Sequence, residues 1–188
     1  MCHLSIDSFQ LFIAMITFAG VLIFGILVGV LIGTFLSLIE ILYRFSFPHM
    51  VVIGRIPGTN MFGDIIRHPD NEAIPGVFIY RIDAPLIFAN AESFKENFLK
   101  ALGREQRPIH LAIIDLDSSP FTDVTAIDMI RELITELERK DIALRLANVT
   151  GQARDVLRAA GIEDKVGKLD QTTTIAALLE QNKNSHSG

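Results

Sequence analysis

From Ser8 to Ile39 the chain runs through 32 consecutive residues without Asp, Glu, Lys or Arg. A membrane-spanning helix needs only about 20 apolar residues, and a soluble core has no use for an uncharged helix of this length, so the segment belongs in lipid. The start Met1, Cys2, His3 carries no Lys or Arg and no small-residue cleavage site follows the run. Its length also exceeds the ~7–15 apolar residues of a signal peptide, which excludes a cleaved leader. As a single helix it would extend roughly 48 Å against a hydrocarbon core of about 30 Å. It must either tilt strongly or break, and the stretch Gly20 to Gly25 favours a break into a short element followed by a span.

Gly25, Gly29, Gly33 and Ser37 recur at intervals of four and so fall on one helix face, the small-xxx-small pattern that lets membrane helices approach closely. That stripe predicts helix-packing roles for Gly25, Gly29 and Gly33, with the partner supplied by other helices of a bundle or by a second copy of the chain. The run holds no ionisable side chain, so a proton relay or charged substrate site within it is excluded. Arg44, Arg55 and Arg67 follow the run, whereas the residues before it offer Asp7 and no Lys or Arg. The positive-inside rule then places the C-terminal side in the cytoplasm.

Beyond the run the composition changes. Of 17 basic and 22 acidic residues only Arg44, Asp7 and Glu40 fall in the first 50, which leaves 16 basic against 20 acidic and a net charge of −4 in 51–188. This acidic balance argues against a nucleic-acid partner. One cysteine, Cys2, allows no internal disulfide and no cysteine-based zinc cluster.

Residues 45–75 are dense in Pro48, Pro57, Pro69, Pro75, Gly54, Gly58 and Gly63 and read as a linker, with a domain able to fold by itself starting at about residue 76. Val77–Ile82 and Leu86–Phe88 read as two short strands meeting at Pro85, in a hairpin or bend. Phe94, Phe98, Leu99 and Leu102 give a helix over 92–104. Leu111–Ile114 is a continuous apolar run, as in a central strand covered on both faces. Asp123 or Thr122 caps a helix whose Ile127, Ile130, Leu133, Ile134 and Leu137 keep a 3.6-residue period. A strand over 142–147, a helix from Thr150 to Gly161, a last short strand over 166–169 and a helix starting at Thr173 or Thr174 complete an alternating pattern. That alternation indicates an α/β domain with a mixed, mainly parallel sheet flanked by helices.

The stretch Ile56, Pro57, Gly58, Thr59, then Phe62, Gly63, Asp64, then Arg67, His68, Pro69, followed by Pro75, Gly76, Val77 and Leu86, Ile87, Phe88, Ala89, Asn90, Ala91, resembles a known junction. It is the one between the membrane domain of sulfate permease (SulP) family anion transporters and their C-terminal STAS domain. The apolar run with Tyr43, Arg44, Phe45, Ser46 and Pro48 also resembles the last membrane helices of that family. Residues from Asp115 through Asp123–Ala126 to Gly161 are similar to the STAS core, which bacterial anti-sigma factor antagonists share. The resemblance implies a transmembrane segment over 1–44 in one or two helices, a linker over 45–75, a STAS domain over 76–182 and a disordered tail over 183–188.

The implied function is that of the C-terminal membrane helix and cytoplasmic STAS regulatory or assembly module of a SulP-like transporter of sulfate or another inorganic anion. The module is not an enzyme, uses no cofactor or metal and does not transport alone. Its expected place is the cell (inner) membrane; its partners are the lipid bilayer, the remaining transporter helices or a second copy, and a regulatory protein. In the antagonists an Asp-Ser-Ser-Gly turn carries the phosphorylated serine. The matching residues here are Asp123, Val124, Thr125 and Ala126, which makes Thr125 a candidate phosphoacceptor beside Asp123. A hydroxyl at a helix N-terminus suits a phosphate, because free N–H groups and the helix dipole stabilise the added charge. The alternative function is accordingly a membrane-anchored signalling switch phosphorylated at Thr125.

One enzymatic pattern competes. Asp115, Leu116, Asp117 after an apolar strand resembles the nucleophile motif of haloacid dehalogenase-like phosphatases, but only Glu163 and Asp164 could supply its further acidic pair, and no convincing catalytic lysine accompanies them. The acidic residues from Asp115 to Asp128 lack the spacing of a calcium loop, and no phosphate-binding glycine motif occurs.

Overall fold

Gly25 takes φ +84°, the left-handed region that glycine tolerates and other residues avoid, and this one residue divides the apolar run. In the computed structural model, which describes residues 8–186, α1 (Ser8–Phe24) and α2 (Ile26–Ser46) lie on either side of it. The predicted break is present. The chain forms two units, divided between Ser46 and Phe47.

In the first unit α2 folds back along α1. Gly29 stands opposite Val21 and Gly33 opposite Thr17. A Cβ on Gly29 would lie 2.6 Å from the Val21 nitrogen and 2.7 Å from its Cα, and one on Gly33 2.7 Å from Thr17 Cγ2. The close approach therefore excludes side chains at both positions, and dispersion contact replaces the hydrophobic drive that lipid withholds. This corrects the expectation for the stripe. Gly29 and Gly33 find their partner within the same chain, while Gly25 faces open space and serves as the turn. The Thr17 and Thr34 hydroxyls each donate back to the carbonyl four residues earlier, Ile13 and Val30, at 2.9 Å, which satisfies them without water. Within α2, Ile26–Tyr43 is long and apolar enough to cross a membrane, and α1 contributes the shorter apolar stretch Leu11–Phe24.

The second unit is a five-stranded sheet: β1 (Met50–Arg55), β2 (Phe62–Asp64), β3 (Val77–Ile82), β4 (Leu111–Asp115) and β5 (Ala143–Ala147), in the order β2-β1-β3-β4-β5. β1 runs antiparallel to β2 and β3, whereas β3, β4 and β5 are parallel, so the last three need helical crossovers. These are α3 (Ala91–Leu102) and α4 (Val124–Glu138); α5 (Gly151–Ala159), α6 (Glu163–Val166) and α7 (Ile175–His186) follow β5. Alternation along β3 sends Phe78, Tyr80 and Ile82 into the larger core with α3, α4 and α5, and Val77 and Ile79 into a smaller one with Ile175, Leu178 and Leu179 of α7. Every residue of β4 is buried, as its apolar run predicts.

Five expectations change. Residues 45–75 are not a linker, because β1 and β2 come from them and β1 lies inside the sheet with Val51 and Ile53 buried; the domain therefore starts well before residue 76. Gly54 reads as a breaker but marks a close backbone approach, since a Cβ there would sit 2.7 Å from the Glu72 carbonyl oxygen. Leu86–Phe88 is no strand and makes only one parallel bridge, Leu86 to Thr122. The last predicted strand is instead the one-turn helix α6, after which Gly167 at φ +84° reverses the chain while Val166 and Leu169 stay buried. Finally, α7 continues to His186, past the point at residue 183 where a tail was expected; residues 187–188 lie outside the described part.

The glycine packing is testable. In a Cys2→Ser background, cysteines placed at Ala14 and Ser37, which line the groove between α1 and α2, should crosslink readily in membranes. Gly29→Ile should cut the crosslink yield several-fold by forcing the helices apart, whereas Val28→Ile, at an exposed position, should leave it unchanged without altering membrane insertion.

Candidate functional site

At the C-terminal ends of the parallel strands two loops are stitched together. Asp123 is the N-cap of α4, and its Oδ1 accepts from the Ala126 N–H at 2.9 Å. Its other oxygen accepts from the Phe88 N–H at 2.7 Å, so one carboxylate both caps a helix and anchors the preceding β3–α3 loop. Ser119, fully buried, accepts from the Leu86 N–H at 3.0 Å. Asn90 accepts from the Ile87 N–H at 3.0 Å and donates to the Pro85 carbonyl at 2.9 Å. The segment from Leu86 to Asn90 is thus a loop with its backbone polar groups assigned to side chains, which is why an apolar sequence there does not pair as a strand.

Thr125 sits in the first turn of α4 with its side chain exposed and without a hydrogen-bond partner among the described residues. Around it the surface is apolar: Phe88 and Val124 are 66% and 72% exposed, and Phe121 is also exposed. Asp123 and Thr125 are therefore brought to one edge, as their spacing predicts, but their roles differ. The Asp123 carboxylate is committed to two backbone N–H groups, while Thr125 is exposed to solvent. Gly25, Gly29 and Gly33 lie in the other unit.

Asp115 is placed in the opposite situation. It is fully buried, receives Arg81 through Nε and Nη2 at 2.7 Å each, and accepts from Asn148 Nδ2 at 2.8 Å and the Asp117 N–H at 3.2 Å. Each oxygen of this carboxylate accepts from two donors, which balances its buried charge. Glu163 is likewise occupied, by the Leu169 N–H and Arg158 Nε at 2.8 Å each. Those two donors hold its carboxyl below the usual range. Two carboxylates of the phosphatase-like pattern, Asp115 and Glu163, thus act as structural clasps. Among the described residues no group of three or more His, Cys, Asp or Glu is arranged to hold a metal ion.

Sequence reasoning missed Arg81, Ser119, Asn90 and Asn148. Asn90 alone carried a local signal, an Asx residue directly before a helix; Arg81 and Asn148 meet Asp115 only because β3, β4 and β5 pair in register, with Arg81 opposite Asp115 and Asp115 opposite Ala147.

The mixed sheet, the helix order and the Asp123-capped turn define a STAS domain, and the STAS family matches residues 68–176; the chain belongs to that family. More particularly, it is homologous to the C-terminal region of SulP-family sulfate transporters, with an apolar helix preceding the domain. A probable sulfate transporter of Mycobacterium tuberculosis is 38% identical over 159 residues, 85% of this chain and 28% of that protein. High affinity sulfate transporter 2 of Stylosanthes hamata is 30% identical over 179 residues, 91% of this chain and 27% of that protein. The chain thus spans little more than a quarter of these relatives, which are transporters and not enzymes. The inward-facing structure of the murine solute carrier 26 member A9 anion transporter shares the fold at a TM-score of 0.79 and 19% identity, over 94% of this chain and 29% of that one.

Removing the Asp123 carboxylate should be costly for this edge. Asp123→Ala forfeits the helix cap and the Phe88 anchor together, so urea unfolding of the detergent-solubilised chain, followed by circular dichroism, should show a loss of about 1–3 kcal/mol. Thr125→Val should stay within about 0.5 kcal/mol of the parent, as exposed substitutions do.

Proposed function

We propose that this chain is the C-terminal membrane hairpin and cytoplasmic STAS module of a SulP-like transporter of sulfate or another inorganic anion, seated in the cell (inner) membrane. In this reading the module serves assembly or regulation and does not transport by itself. The observation that carries the reading is continuity. A match over 91% of the chain is longer than the STAS unit alone, so the similarity to sulfate transporters runs on into the glycine-packed helices. The hairpin has a single glycine-lined contact, and large side chains such as Leu22, Ile23 and Leu27 project outward from it; lipid and further transporter helices are the surroundings that suit them. The cytoplasmic placement rests on Arg44, Arg55 and Arg67 following the run.

A graft tests it. Replacing the matching C-terminal part of the Mycobacterium tuberculosis relative with this chain should give measurable sulfate uptake in a transport-deficient host, whereas proteoliposomes holding this chain alone should take up no more than empty vesicles. Uptake by the chain alone would overturn the reading.

The exposed Thr125 hydroxyl favours a second function for the same edge, a phosphorylation switch. A phosphate there would add nearly two negative charges to an apolar patch beside the already occupied Asp123, and so weaken any partner that docks on Phe88, Phe121 and Val124. In the graft, Thr125→Glu should then change uptake or partner retention while Thr125→Val does not. Identical behaviour of both variants and the parent, with no phosphothreonine detected by mass spectrometry, would exclude the switch.

A further inference from the structure

The helices on the larger face of the sheet do not cover it evenly. α3 lies over β3, and beyond it, above β1, a cleft of about 670 Å³ remains open, a size typical of small-molecule sites. Its floor is Met50, Val52 and Tyr80, one wall is Ile65 and Ile66, and α3 with its exit contributes Lys100 and Arg104.

Two features of this cleft suit a ligand. The first is Tyr80. Its ring is 3% exposed and packs against Phe94 and Phe98 with centroids 5.5 Å away in each case, yet its hydroxyl has no hydrogen-bond partner among the described residues. A polar atom that enters the cleft can therefore accept a hydrogen bond from it. The hydroxyl is not one of the fully enclosed unpaired atoms, which among the described residues are Arg55 Nε and Thr122 Oγ1, so it keeps a surface towards the cleft. Burial pushes its pKa up to about 12, so it remains a donor throughout the physiological range.

The second is charge. Lys95, Arg107, Arg131, Lys140, Arg158, Lys165 and Lys168 each sit within ion-pair distance of a carboxylate. Lys100 and Arg104 have no such partner among the described residues. Lys100 lies in the last turn of α3 and Arg104 in the turn just after it, and both line the cleft. Glu105 also lines the cleft but is spent on Arg107 at 2.9 Å. The cleft therefore combines an apolar floor, a buried donor and a net excess of two cations.

We propose that this cleft binds a small amphipathic organic anion, a monocarboxylate with a compact apolar body. The body would lie on Met50, Val52 and Ile65, the carboxylate would be received by Lys100 and Arg104, and a polar atom nearest the sheet would accept from Tyr80. Charge complementarity favours a carboxylate over a neutral ligand, and the apolar floor favours an organic acid over a bare inorganic anion. The site lies within the second unit and does not depend on the transporter reading.

The chain has two tyrosines, Tyr43 and Tyr80, and no tryptophan, which makes a selective test available. The full chain is labelled with 3-fluorotyrosine in lipid nanodiscs, its two fluorine resonances are assigned with Tyr80→Phe, and 2-naphthoate is titrated in. The Tyr80 resonance should shift and saturate while that of Tyr43, which reports partition into lipid, does not follow it. The double variant Lys100→Gln, Arg104→Gln should weaken binding by about tenfold or more, as should the uncharged analogue 2-naphthalenemethanol, since each removes the charge-assisted contacts of the carboxylate. No saturable shift at millimolar naphthoate would overturn the proposal. So would equal binding of the uncharged analogue or the double variant, or an equal response to inorganic sulfate alone.

Discussion

Strand β4 has to be covered on both faces, and the soluble unit is organised around that requirement. Its five residues are all buried, so a helix layer must pack on each side and its neighbours β3 and β5 must run parallel to it through helical crossovers. Because β3 and β4 pair from Val77 opposite Leu111 to Arg81 opposite Asp115, the one charged residue of β4 arrives beside the guanidinium that neutralises it. Breaking that pair from one side would leave a buried charge unmatched, which is far more damaging than the pair itself is stabilising. The register is held on one face by Phe78 and Ile114 and on the other by Val77, Ile79 and the Arg81–Asp115 pair.

From that frame the edge carrying Thr125 follows. The strands end together, so the loops after β3 and β4 emerge side by side, and Ser119 and Asp123 each take a backbone N–H from the neighbouring loop. One acidic side chain thereby fixes where α4 starts and where Phe88 sits, and it leaves Thr125 as the exposed hydroxyl of the turn. The apolar helical unit obeys a different rule. No hydrophobic force drives two helices together in lipid, so the contact depends on Gly29 and Gly33 letting the backbone of α2 approach Val21 and Thr17.

The kind of each element was legible in the sequence where a period or a long composition bias was present: the apolar run, the amphipathic faces of α3 and α4, and the continuous run of β4. The start of α4 was legible to within the choice of Thr122 or Asp123 as its cap, and the structure assigns the cap to Asp123. The misreadings share a cause. Gly54 and Pro57 look like breakers, yet β1 tolerates the glycine because the backbone at Glu72 comes too close for a side chain. Leu86–Phe88 has strand-forming residues, yet Ser119, Asn90 and Asp123 take up their N–H groups.

The sequence by itself determined that 32 residues run without a charge and form helix long and apolar enough to cross a membrane, that an α/β domain follows, and that a hydroxyl heads its second long helix, since each depends on residues near one another along the chain. Only the tertiary structure decided that Gly29 finds its partner across a one-residue turn, that Arg81 and Asn148 close on Asp115, and that Tyr80 shares an open cleft with Lys100 and Arg104. Those juxtapositions depend on strand register and on where helices stop covering the sheet, which are properties of the packed chain and of no local stretch of it.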